Sequence, residues 1–197
     1  MKTMAMVAMA AVMGSSSWAG PARGEAAEQN VTVCMDKGTN TTVVEEAQKI
    51  ASKMFARIHV NLEWHGDRRF CKVPGDHVIV VSLSTHTPRT LLPGALAYAL
   101  PYEGTHIEVF YDRMDKEESG DRYILAHVLV HEITHILQGF ARHSETGVMQ
   151  AHWGADDLTQ MKLTPLDFTA EDVTLIRAGL KGRVSPRPGT LVAAAAP

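Results

Sequence analysis

Only two cysteines, Cys34 and Cys71, occur among the 197 residues, and neither lies near segment 126–149, where histidines gather. A cysteine-ligated metal centre is therefore not expected. Excess positive charge is missing too. Nineteen lysines and arginines face 22 aspartates and glutamates, a formal net charge of −3, which argues against a nucleic-acid binder. No apolar stretch is long enough to span a bilayer; the run over residues 4–13 is far short of the roughly 20 residues required. No internal repeat is apparent.

What is present suits one globular domain. Hydrophobic residues make up 45% of the chain, enough for a substantial core. Lys2, the apolar run over 4–13 and the small residues before Ala19 have the form of a secretory signal peptide over residues 1–19 with cleavage near Ala19. A secreted or periplasmic location is thus expected. Its removal would leave 18 basic against 22 acidic residues, a formal charge of −4. In an oxidising compartment Cys34 and Cys71 are expected to pair, stabilising the fold by up to about 4 kcal/mol on a chain-entropy estimate; two free buried thiols are the alternative reading.

Residues 21–30 carry no apolar period and read as a lead-in, and residues 31–34 suit a short strand. From Thr42, Val44, Ala47, Ile50, Ala51, Met54, Phe55 and Ile58 recur at three- and four-residue spacing, predicting a helix over 42–58 with Thr42 and Glu45 as a capping box. Residues 60–64 alternate as a half-buried strand, and the apolar run 77–83 suits an inner one. A surface loop over 85–93 precedes two strands, 94–100 and 105–111, joined by a turn at 101–104. The charge run 115–121 precedes the histidine helix, with Ser119 or Asp121 as its cap. Residues 151–164 read as irregular. Residues 168–180 predict a closing helix with Thr169 as N-cap, acids in the first turn and Gly179 or Gly182 near its end. The expected organisation is a signal peptide (1–19), a lead-in (20–41), one domain (42–181) and a disordered tail (182–197).

The chemistry concentrates in His131-Glu132-Ile133-Thr134-His135. At 3.6 residues per turn, positions four apart lie above one another, so both imidazoles can face one cation with a carboxylate beside them. Such a pattern suits a zinc ion that lowers the pKa of a water, and a base that takes its proton. The flanking residues are apolar on most sides, predicting a buried helix in which polar groups need partners. His127 lies eight residues from His135, about 12 Å along the axis, too far to join them as a ligand; it reads as a core or supporting side chain. Gly139 offers a helix stop tolerant of left-handed dihedrals, and His143 beyond it is the preferred third ligand.

These residues resemble the metzincin metallopeptidases, most closely the matrixin-like ones. In that family the His-Glu-x-x-His helix ends at a glycine, a third histidine follows, often with serine after it, and a methionine turn lies beneath the zinc. This chain offers Gly139, His143-Ser144 and Gly147-Val148-Met149. Residues 94–100 look like the family's substrate-lining edge strand and residues 168–180 like its closing helix. Gly139 and His143 fall four and eight residues after His135, where the family has three and six, and Gln150 stands where some members have tyrosine. The longer turn leaves Glu145 and His152 open as substitutes for His143. A thermolysin-like (gluzincin) arrangement would instead use Glu171.

The expected fold class is α+β and zincin-like: a small mixed β-sheet with two long helices, one carrying the histidine motif, and an irregular C-terminal part closed by one helix. The resemblance implies a secreted zinc metalloendopeptidase with Zn2+ as cofactor and metal ligands His131, His135 and His143. Glu132 is the expected general base, the substrate a peptide or protein, and the protein a monomer without a membrane span. The alternatives are a non-catalytic zinc-containing binding or structural protein, or hydrolysis of a non-peptide amide.

Overall fold

Alternating side chains build the sheet. In a computed structural model, which describes residues 29–35, 41–66, 78–88, 95–100, 105–114 and 121–184, the strands are β1 (Gln29–Met35), β2 (Val60–His65), β3 (Val78–Ser84), β4 (Ala97–Ala99) and β5 (His106–Phe110). Their order is β2-β1-β3-β5-β4, with β4 antiparallel to β5 and the other neighbours parallel. The register pairs Val31 with Leu62, Val33 with Ile79, Met35 with Val81, and Val81 with Ile107. All seven of these side chains are buried, so a single face of the mixed sheet supplies the core. On the opposite face Cys34 is also buried, and it is disulfide-bonded. Cys71, the chain's other cysteine, lies outside the described residues.

Among the described residues four helices pack with the sheet: α1 (Thr41–Ala56), α2 (Asp121–Gln138), α3 (Ala155–Leu163) and α4 (Ala170–Val184), with a short 3-10 turn at Tyr111–Arg113. The buried side of α1 carries Val44, Ala47, Ala51, Met54 and Phe55, the spacing that gave it away in the sequence. It packs against α2 and β2, while α2 also touches β4, β5, α3 and α4. Every residue of α2 from Ile124 to Gln138 is buried. The expected mixed sheet and buried histidine helix are therefore present.

Several details differ from expectation. The sheet begins at Gln29, inside the stretch read as a lead-in, and β1 is a central strand flanked by β2 and β3. Helix α1 starts at Thr41, which places Thr42 inside its first turn rather than at the cap. β4 is confined to three residues. Residues 155–163, expected to be irregular, form α3; only Met161 of this helix is buried, so no apolar period announced it. Its start is held by Asp157 Oδ2, which accepts the Gly154 N–H at 2.8 Å. Helix α4 runs through both glycines to Val184, three residues into the expected tail. Ser119, the turn expected at 101–104 and most of the loop expected over 85–93 lie outside the described residues, as do residues 1–19, read above as a signal peptide, and residues 185–197.

Gly179 explains why α4 does not stop there. A Cβ at this position would lie 1.7 Å from the Leu137 carbonyl oxygen, so its missing side chain is what lets α4 seat on the end of α2. Gly182, three residues on, has nothing within 4 Å. Gly179→Ala should therefore cost about 1–3 kcal/mol or more and lower Tm by about 3–10 °C, whereas Gly182→Ala should be neutral or stabilising. Thermal unfolding of both variants checks this.

Candidate metal centre

Helix α2 sets the first two imidazoles. His131 and His135 are one turn apart and nearly buried, with ring centroids 4.7 Å apart at 82°. His131 Nδ1 lies 2.9 Å from the Val148 carbonyl oxygen, so that nitrogen carries the proton and Nε2 is left with its lone pair. His135 Nε2 is 3.0 Å from His131 Nε2. The Phe140 backbone lies beside His135 and favours its protonated form, yet no hydrogen bond of good geometry reaches Nδ1.

His143 joins them from the loop after α2. The helix closes at Gly139, whose φ of +81° is the left-handed value and whose N–H reaches the His135 carbonyl at 2.9 Å. The His143 ring then stands 5.2 Å from His131 and 5.0 Å from His135. One donor nitrogen from each of the three histidines lies within 4.8 Å of the others. Among the described residues no such group includes Glu145, His152 or Glu171; the Glu171 carboxylate is paired with Arg142 instead.

The loop then turns back under α2. Gly147 has φ +79°, and a Cβ there would meet the Asp167 carbonyl oxygen at 2.3 Å, so the tight turn over residues 147–150 requires glycine. This turn offers the Val148 carbonyl to His131, and Ser144 N–H closes it by donating to the Met149 carbonyl at 2.8 Å. Met149 is fully buried. Trp153 stands edge-on to His131, 5.6 Å between centroids.

Burial acts in opposite senses on the two kinds of group. It pushes His131 and His135 down to about 4, and for His135 the neighbouring imidazoles add to the effect, so both are neutral and ligand-competent at pH 7. His143, more open, is lowered by burial and by His152. Desolvation raises Glu132 to about 8. The residues fit a zinc ion. Two tetrahedral ligands at 2.0–2.1 Å would be about 3.3 Å apart, close to the 3.0 Å between the two Nε2 atoms, and two lone pairs that near repel unless a proton or a cation lies between them. The third donor is at most about 1.5 Å beyond that spacing, on an exposed side chain.

His127 does not take part. It is fully buried, with Nδ1 2.7 Å from the Tyr123 carbonyl and Nε2 accepting the Leu166 N–H at 3.0 Å. Sequence reasoning missed Asp172, a carboxylate with no exposed surface beside this loop. Its only signal was the spacing Thr169-x-x-Asp172, which read as an ordinary helix start.

No protein-family model matches the chain, and no curated protein is similar to it in sequence. Its fold is nonetheless found among solved structures. An archaemetzincin from Methanopyrus kandleri matches at TM-score 0.51 and 15% identity, over 80% of this chain and 98% of that one. A zinc-dependent peptidase from Methanocorpusculum labreanum matches at TM-score 0.54 and 12% identity, over 74% of this chain and 99% of that one. At such identities the likeness establishes a shared fold.

Two consequences concern stability. His127→Ala leaves the buried Leu166 N–H without an acceptor and opens a cavity, so it should lower stability by about 2–4 kcal/mol in chemical denaturation. Asp172 is held ionised: burial opposes its charge, but hydrogen bonds from Ser144, Thr169 and Arg142 outweigh this and set it below the ordinary 3.8. The stabilisation it gives is therefore present above that value and lost as pH falls through the lower folded one. The Tm deficit of Asp172→Asn should accordingly be greatest near neutral pH and shrink in acid below about 3.8.

Proposed function

We propose that the protein is an exported zinc metalloendopeptidase of metzincin type, with His131, His135 and His143 as metal ligands and Glu132 as general base. The observation that carries this is the convergence of three imidazoles within 4.8 Å, two from one buried helix and one from beyond its glycine stop. Its setting in a fold shared with zinc-dependent peptidases supports the same reading. Export is supported by the sequence of residues 1–19 and by the disulfide at Cys34. No described helix is long and apolar enough to cross a membrane.

Zn2+ bound by the three histidines supplies Lewis acidity, bringing the pKa of a water towards neutrality and polarising a carbonyl. The protein's own groups do the rest. His131 is held by the Val148 carbonyl with Nε2 facing the site, and burial keeps its imidazole free of competing protons. Glu132, next to His131 and only 8% exposed, takes one proton from the attacking water as oxygen bonds to the peptide carbon. It then gives that proton to the departing amine as the carbon–nitrogen bond breaks, which returns the carboxylate. The alkyl and aromatic walls of α2 and Trp153 limit access of bulk water. β4, paired with β5 along one side, offers its other edge to an extended peptide through main-chain hydrogen bonds.

Metal analysis of the purified protein should find one zinc per chain, held more weakly in His143→Ala, where the two imidazoles of α2 remain. Glu132→Gln should keep its zinc and lose cleavage of a denatured protein by about 100-fold or more. Zinc without cleavage in the wild type would identify a binding protein, cleavage confined to small non-peptide amides would shift the substrate class, and absence of metal would remove the reading altogether.

A further inference from the structure

His143 is the ligand with least local support. It is exposed, stands five residues beyond the end of α2, and lies on a connection with no regular structure. A third donor on such a segment must be held in place, or ordering it would weaken metal binding. Its two chain neighbours show how it is held. Ser144 Oγ donates to Asp172 Oδ1 at 2.6 Å, and Arg142 donates to the same oxygen at 3.0 Å. The other oxygen, Asp172 Oδ2, accepts the Thr169 N–H at 3.0 Å and the Thr169 hydroxyl at 2.7 Å, while Asp172 N–H returns a bond to Thr169 Oγ1 at 3.1 Å. One carboxylate oxygen thus serves the histidine loop and the other serves the first turn of α4.

Helix α4 is itself locked to the helix that carries the other two imidazoles. Ile176 and Leu180 are buried in the common core, and Gly179 seats against Leu137, two residues past His135. A closed mechanical circuit results, from His135 along α2 to α4, through Asp172 to Arg142 and Ser144, and back to His143. We propose that Asp172 is the positioning residue for the third metal ligand, fixing His143 against His131 and His135 through its bonds to the residues on either side. The inference rests on the zinc reading above. It assigns Asp172 no contact with substrate or metal.

The carboxylate is specific to the task because it accepts on both oxygens. An asparagine retains one acceptor and presents an amide N–H2 to two donors, so Asp172→Asn releases one side of the bridge. Zinc affinity measured by chelator competition should fall about 10- to 100-fold in Asp172→Asn. The absorption spectrum of its cobalt form should move towards that of His143→Ala. The decisive measurement is the double variant: Asp172→Asn should weaken zinc no further once His143→Ala is present, because both changes remove the same ligand. Ser144→Ala, which keeps the α4 half of the bridge intact, should lose about threefold to tenfold and serves where Asp172→Asn does not fold. Equal losses from Asp172→Asn with and without His143 would overturn the proposal, as would wild-type affinity in both Asp172→Asn and Ser144→Ala. A wild type that binds no zinc would overturn the metal reading and this inference together, whereas unaltered affinity in the variants would sink this inference alone.

Discussion

A polar group carried into a core must find a partner there, and α2 carries six into this one: His127, His131, Glu132, Thr134, His135 and Gln138. The rest of the structure is arranged around that requirement. Thr134 returns its hydroxyl to the Val130 carbonyl one turn back, a bond the helix provides by itself. His127 needs both the Tyr123 carbonyl and the Leu166 N–H, so the segment before α4 must pass beneath the helix. His131 needs the Val148 carbonyl, which draws the turn at 147–150 to the same place. Among the described residues, His135 Nδ1 and both Gln138 amide atoms have no partner of good geometry. The unsatisfied groups of the helix itself therefore lie at the end of α2 from which the His143 loop departs.

The legible part of this design was local. His131 and His135 are four apart, and helical geometry alone puts them on one face. The apolar spacing of α1 and the alternation in β2 reported their own burial, as did the distance that kept His127 out of the donor set. Tertiary arrangements were not legible. Gly179 looked like a helix stop because glycine is common there, but its absent side chain serves a crossing with Leu137, over forty residues earlier in the chain. Helix α3 buries one residue and so left no period to read. Asp172 lay in plain view as an acid in a first helical turn; only the approach of Arg142 and Ser144 from another segment turns it into a bridge.

The longer interval between His135 and His143 finds its physical account in the same place. A wider loop gives a ligand more freedom, and ordering it costs conformational entropy. Here the loop is tied at three points: the left-handed Gly139, the Ser144-to-Met149 backbone bond, and the Asp172 carboxylate. The fold is shared with proteins at 12–15% identity, so what persists is the layout of elements rather than the side chains within them.

Desolvation links this architecture to chemistry. The same low-polarity surroundings that lower His131 and His135 to about 4 raise Glu132 to about 8, because burial always disfavours whichever form is charged. For the imidazoles the result is useful without further change, since neutral nitrogen is the form that binds metal. For the carboxylate it is the reverse, since the role proposed for it requires the ionised form. A divalent cation at the three nitrogens would reconcile the two: neutral rings would hold it, and its charge would favour the carboxylate beside it. Two Nε2 atoms 3.0 Å apart need a proton or a cation between them, and burial favours the acid form of Glu132, so a single cation would satisfy the electrostatics of His131, Glu132 and His135 together.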